Sequence, residues 1–204
     1  MKETPILFSG PMVNAILEGR KTQTRRVARF RLGQDEAATE LADGRIAATV
    51  RCCPYGVPGA RLWCREAWGV ASEYDDRPPS EIRAAGRKRI WYRADGSRPE
   101  WVSRTRSPIH MPRWACRLVL EITEVRVERL TSISEEDARA EGAVFHNRGG
   151  LGVSGWQHDN AGYVWGTARE SFRDLWQSIN GKRPGCGWGD DPWVWCLTFR
   201  RVSE

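Results

Sequence analysis

The segment from Arg113 to Val127 constrains the fold more than any other. Trp114, Cys116, Leu118, Leu120 and Ile122 recur at every second position, which puts them on one face of a long strand starting near Arg113. The apolar phase then moves by one residue, to Val125 and Val127. Such a slip turns a regular strand inside out, so a bulge or bend is required near Thr123-Glu124 to keep both halves on the core side. A strand this long and this bent belongs in a sharply curved sheet or a barrel.

Other strands are expected from Pro5 to Phe8, from Arg61 to Trp68, from Ile90 to Arg93 and around Trp193 to Phe199. Three short helices accompany them. The first opens at Ser9-Gly10-Pro11, carries Met12, Val13, Ile16 and Leu17 as its apolar stripe and stops at Gly19. The second has the acidic head Ser134-Glu135-Glu136-Asp137 and stops at Gly142. The third begins with a capping box at Thr167 to Glu170, buries Phe172, Leu175, Trp176 and Ile179, and ends at Asn180-Gly181. The fold class is therefore α+β, a curved and mostly antiparallel sheet or barrel with a few short flanking helices, in a single domain over 1–204.

Three stretches carry weaker patterns and read as loop insertions. Residues 28–58 suggest a hairpin or extended excursion around Asp43-Gly44, 72–89 a mobile polar loop with Pro78-Pro79, and 144–163 a Gly-rich segment holding His146 and His158. The six cysteines lack the paired spacing of a zinc site and are expected to be reduced and mostly buried. The N-terminal apolar run is too short for a signal peptide and no stretch reaches membrane-spanning length, so a cytoplasmic protein with no membrane partner is expected. A formal charge of +6, carried almost entirely by Arg, beside 11 Trp suits phosphate contacts and base stacking, and equally a Trp-rich core. No GxGxxG or P-loop pattern indicates a nucleotide cofactor, and no cluster of ligand residues indicates a metal.

Chemistry concentrates in Gly19-Arg20-Lys21-Thr22-Gln23-Thr24-Arg25-Arg26. In a strand Lys21 and Thr24 point to opposite faces; in a helical turn they lie together, as a nucleophile beside a base. A basic loop holding phosphate or solvent is the simpler reading of the same stretch. Glu66 stands out as a carboxylate in the row Leu62, Cys64, Glu66, Trp68. Buried, it needs a partner, either one of the many Arg or Lys21.

Gly19-x-Lys21-x-x-Thr24-x-Arg26, after an N-terminal strand and helix, resembles the signature of the ASCH domain, a member of the PUA-like barrel superfamily, with Thr24 where the family's general pattern has Glu. The Lys-x-x-Thr form with a Glu on a later strand is similar to the bacterial ASCH proteins that act as N4-acetylcytidine amidohydrolases. The wider run of Ile6 to Met12, Arg61-Leu62-Trp63, His110 to Ala115 and Asp191 to Trp195 resembles phage and prophage ASCH proteins.

The resemblance implies a PUA-like barrel and an amidohydrolase that takes an acyl group from the N4 amine of a cytosine nucleoside, with Lys21, Thr24 and Glu66 as the catalytic set and no cofactor. Thr24 would attack the acyl carbonyl. Its proton would go to a neutral Lys21, or else Glu66 would serve as the base while the Lys21 cation steadies the oxyanion. Arg26 would orient the site or bind phosphate or ribose. Trp63, Tyr92 and Trp114 are candidates to stack on the base, and the N–H groups around Ser9 and Gly10 candidates to hold the oxyanion. His110 is expected to be structural. The alternatives are an RNA-binding module or ribonuclease of the same family, with RNA or single-stranded nucleic acid as partner, and a phage protein acting on modified bases.

Overall fold

The computed structural model describes residues 3–29, 52–84, 89–147, 153–158 and 163–202. Its main sheet contains β1 (Glu3–Leu7), β2 (Gln23–Val27), β3 (Arg61–Arg65), β6 (Val119–Arg129) and β9 (Trp193–Val202) in the order β1-β3-β6-β9-β2. Only β1 and β3 pair in parallel, and the long antiparallel ladder of β6 and β9 forms the centre. The helices are α1 (Gly10–Leu17), α2 (Pro79–Ala84), α3 (Glu135–Ala140) and α4 (Ala168–Asn180).

The phase slip in the sequence has its counterpart in the ladder. Ile122 faces Phe199 and the next pair is Glu124 with Thr198, so Thr123 is the extra residue of a bulge. Ile122 and Val125, three apart, thereby reach the same core as Leu118, Leu120, Trp195, Leu197 and Phe199. A second cluster, around Leu130, Phe172, Trp176 and Val194, packs α3 and α4 against the other face of β9. Ser134 caps α3 by accepting from Asp137 N–H, and the capping box of α4 is complete.

Among the described residues the sheet does not close: β1 and β2 are its edges. They nevertheless approach each other, because Arg26 of β2 donates to the Leu7 carbonyl of β1 at 2.7 Å. The described residues thus form a curled, mostly antiparallel sheet with a seam between its edges, the curved sheet expected from the sequence. Pro5 and Arg26 lie on the two sides of that seam.

Several local expectations are corrected. The strand expected from Arg61 to Trp68 ends at Arg65, and Trp68–Val70 forms a separate strand, β4, which pairs with β5 (Ile90–Tyr92) over a third cluster of Trp68, Val70, Ile82, Met111 and Ala115. Residues Arg113–Ala115 form a 3-10 turn after Pro112, and β6 begins only at Val119. The stretch read as a mobile loop holds α2, whose fully buried Ile82 anchors it. The Gly-rich stretch contains the hairpin of β7 (Val144–His146) and β8 (Gly155–Gln157). Ile179 is exposed, and Asn180 is buried at the end of α4. The expected excursion around Asp43-Gly44 lies outside the described residues. All six cysteines are free; Cys52 is exposed and Cys116 half-buried.

Candidate active site

The stretch after α1 is neither a helical turn nor a continuous strand. Gly19 takes a positive φ of 77°, which L side chains rarely adopt, and turns the chain back so that the N–H groups of Arg20 and Lys21 both reach the Ala15 carbonyl at 2.9 Å. Lys21 then makes an isolated bridge to Glu141, and β2 starts two residues later. Lys21 Nζ donates to Glu141 Oε2 at 2.6 Å and to the Glu141 carbonyl at 2.8 Å, with both side chains almost fully buried. Glu141 caps the C-terminus of α3, and Gly142 follows at φ 107°, where a Cβ would press within 3.2 Å of the Ala15 and Lys21 Cβ atoms. A glycine is needed there for both the backbone angle and the close approach.

Two lobes of a cleft meet at this ion pair. One, of about 910 Å³, runs along the seam between β1 and β2 and is lined by Thr24, Arg26, Glu141, Phe8 and Tyr55, with α4 as its far wall. The other, of about 750 Å³, crosses the N-terminus of α1 and is lined by Gly10, Arg20, Arg93, His146 and His158. Ser9, Phe8 and Glu141 line both. The Phe8 ring gathers two of the expected site cations, with Lys21 Nζ 5.9 Å and the Arg26 guanidinium 5.2 Å from its centroid. The fold thus brings Thr24, Arg26, Ser9 and Gly10 to one cleft, with Lys21 held behind its wall by Glu141. The Ser9 side chain makes no capping bond to α1.

Four of the expected site residues lie elsewhere. Glu66 falls in the break between β3 and β4, and its carboxylate accepts from Arg117 Nε at 2.9 Å and NH2 at 3.0 Å. Arg117 also reaches Asp95 and lies 4.0 Å from the Tyr92 ring centroid. Burial pushes the Glu66 carboxyl above its ordinary range, against the pull of Arg117. Glu66 therefore finds the Arg that the sequence allowed as one of its two partners. Tyr92 donates to the Ala115 carbonyl, Trp114 stacks edge-on against Trp68, and Trp63 lies under Arg65. None of the four lines the cleft, whose aromatic walls are Phe8, Tyr55, Phe172, Trp176 and Trp195.

Glu141 is the residue that sequence reasoning missed. It sits among Glu135, Glu136, Asp137 and Arg139, and the charged run reads as a solvated helix face. Arg25, fully buried on the opposite face of β2 from Thr24, ties Glu141 into a larger network. Its NH1 donates to Gln23 at 2.6 Å and to Glu141 Oε1 at 3.4 Å, its NH2 to Asp137 at 2.7 Å, and its Nε to Glu128 at 3.1 Å. Burial opposes the Arg25 charge, but Glu141 and Glu128 more than offset it and raise the pKa. Glu128, Asp137 and Cys196 come close enough to suggest a cation site. Fixed cations already serve them: Arg126 NH2 meets Asp137 at 2.8 Å and Cys196 Sγ at 3.3 Å, while Arg25 holds Glu128 and Asp137.

His158 backs the second lobe. Its Nε2 faces the Ala138 carbonyl at 3.1 Å and must carry the proton there, so Nδ1 accepts from Ser171 Oγ at 2.9 Å. Burial, with the Lys21 cation next, pushes its pKa down to about 4. Between the ordinary value near 6.5 and that value the unfolded chain holds the proton and the folded chain does not. Stability should therefore fall as the pH drops through this window, by on the order of 3 kcal/mol. Thermal melts between pH 7 and 4 are expected to show this slope in the parent and a much flatter one in His158→Gln; equal slopes would remove His158 as its source.

Comparison of the chain with protein-family models, with curated proteins and with solved structures gives no match. No helix among the described residues is long and apolar enough to cross a membrane.

Proposed function

We propose that the chain is an amidohydrolase that removes an acyl group from the N4 amine of a cytosine nucleoside, with Thr24 as nucleophile and Glu141, in the place first given to Glu66, as the working carboxylate. The observation that carries this reading is the buried Lys21–Glu141 pair, whose Glu141 lines the same cleft as Thr24. The similarity of Lys21-x-x-Thr24-x-Arg26 to ASCH amidohydrolases supplies the reaction, and the curled sheet is compatible with a PUA-like barrel opened at one seam.

The geometry also favours one proton route. Lys21 Nζ lies 2.6 Å from the Glu141 carboxylate, a buried contact that favours the ammonium–carboxylate form of the pair, so the carboxylate is assigned as the group that accepts a proton. Thr24 Oγ adds to the acyl carbonyl carbon as its proton passes to Glu141. The oxyanion is then held by the backbone N–H groups at the start of α1, with the Lys21 cation behind Glu141 adding a favourable field. Collapse breaks the bond to N4, and the proton on Glu141 goes to the departing base. Conjugation into the pyrimidine ring makes that amine a weak base, so a carboxylate tempered by two cations is acid enough to complete the step. Water cleaves the acyl-Thr24 ester by the same route in reverse order. Arg26, bound to the Leu7 carbonyl and stacked on Phe8, orients the seam, and half-buried Tyr55, backed by the buried Phe8 and Trp195, is the aromatic surface nearest to hand for the base.

The test is conversion of N4-acetylcytidine to cytidine, followed by chromatography. The parent is expected to turn over and Thr24→Ala to retain no more than about a thousandth of its rate, the scale of losing a nucleophile. A folded parent with no turnover sinks this reading. The second lobe, with Arg20, Arg93 and His146, extends beyond what one nucleoside fills and favours nucleic-acid binding as the second reading. Affinity for single strands that falls steeply with salt is its signature.

A further inference from the structure

A third cavity, of about 690 Å³, lies beside the cleft and plays no part in the chemistry above. Ser107 and His110 line it while Pro108 lines both lobes of the cleft, so the 3-10 turn of Pro108–His110 is the partition between them. Its walls carry three guanidinium groups, Arg77, Arg104 and Arg106, against two carboxylates, Asp75 and Asp76. Thr105 and Ser107 add hydroxyl donors. Asp75 is already engaged: Ser103 donates to it, and Arg104 and Arg106 lie 3.3 and 3.6 Å from its Oδ1, which accepts no hydrogen bond.

The inner wall is built rather than incidental. Trp68 and Arg106 are paired by two backbone hydrogen bonds, of 3.2 and 2.7 Å, and the guanidinium lies 5.6 Å from the indole centroid. Arg106 spends its NH2 on the carbonyls of Tyr74 and Asp75. That leaves Arg106 Nε and Trp68 Nε1 as buried donors without acceptors, on adjacent residues of one wall, with Trp68 fully buried. A buried N–H left unmade is unfavourable by about 1–3 kcal/mol, so two in one place call for an acceptor from outside the chain. Burial and the neighbouring Arg104 lower the pKa of Arg106, a penalty that an anion would relieve.

We infer that this cavity is a phosphate-binding site, in which Arg104 and Arg106 hold the oxyanion and small movements of the wall bring Trp68 Nε1 and Arg106 Nε onto its oxygens. The fork of donors matches the tetrahedral, multiply charged oxygens of phosphate better than a single carboxylate. Free phosphate and the phosphodiester of a single strand present the same chemistry, and the site is independent of whether Thr24 is a nucleophile.

Sodium phosphate titrated against sodium chloride at matched ionic strength, with the tryptophan indole N–H signals followed by NMR, tests the site directly. Trp68→Phe identifies the Trp68 signal. That signal is expected to shift saturably with phosphate alone, and Arg104→Ala, a change at an exposed side chain, to weaken the affinity about tenfold, the scale of one charge-assisted contact. A short single-stranded oligonucleotide lacking terminal phosphates separates the sources: tighter binding than inorganic phosphate assigns the site to a phosphodiester, weaker binding to free phosphate or a phosphomonoester. A Trp68 signal that responds to neither probe overturns the proposal, and so does a response unchanged in folded Arg104→Ala.

Discussion

Arg25→Ala should unfold far more readily than any substitution on the outer face of the sheet. The side chain is fully buried and donates to Gln23, Glu128, Asp137 and Glu141. Truncation leaves Glu128 and Asp137 to Arg126 and takes the Arg25 contact from the buried Glu141, which keeps Lys21. Removing one partner of a buried ion cluster is unfavourable by about 3–5 kcal/mol, because the remaining charges stay desolvated. Against a total stability of about 5–15 kcal/mol, that is a large share, and for a chain of this size it lowers the melting temperature by roughly 6–20 °C. Arg25→Lys should recover little, since one ammonium cannot replace a fork spread over four partners. Denaturant unfolding measures it; a midpoint within the error of the parent would mean that the network holds nothing together.

Glu141→Gln and Glu66→Gln separate the carboxylate that the fold places at the cleft from the one that the sequence singled out. Under the proposed chemistry Glu141→Gln keeps the shape of the wall but cannot take the Thr24 proton, and kcat/KM for N4-acetylcytidine should fall by about 10²- to 10⁴-fold. Glu66→Gln leaves Arg117 with Asp95 and should change turnover only a few-fold, with any loss appearing in stability. The reverse pattern in folded proteins would return the catalytic role to Glu66 and reduce Glu141 to an anchor for Lys21. Both variants belong beside the Thr24→Ala measurement, because a parent inactive on this substrate leaves neither with a rate to compare.

What the sequence could reveal was set by how local each cause is. The bulge at Thr123 was legible because two runs of alternating apolar residues on one strand cannot otherwise share a core. The capping box of α4 and the Ser134 cap were legible for the same reason: donor and acceptor lie three residues apart. Glu141 was not legible, because its partner Lys21 is 120 positions away and nothing in a charged helix tail marks the one carboxylate that turns inward. The alternation from Leu62 to Trp68 continues across Glu66 although the strand does not, since the change of sheet is decided by Arg117 and by the packing of Trp68 on Trp114. In α2 a single apolar residue, Ile82, docks the helix, which is too little to leave a period. Trp63, Tyr92 and Trp114 pack against Arg65, Arg117 and Trp68 away from the cleft, and nothing in their local sequence separates an aromatic wall from an open stacking surface.

The unclosed seam has a bearing on self-association. A sheet whose two edge strands are unpaired among the described residues presents two templates on which another polypeptide could add a strand. Here the edges carry their own deterrents: Pro5 on β1 has no N–H to offer an incoming strand, and the Arg26 guanidinium on β2 occupies the Leu7 carbonyl that such a strand would seek. The same arginine that lines the cleft therefore also covers a carbonyl that an incoming strand would need, so a substitution at Arg26 bears on the sheet edge as well as on the cleft.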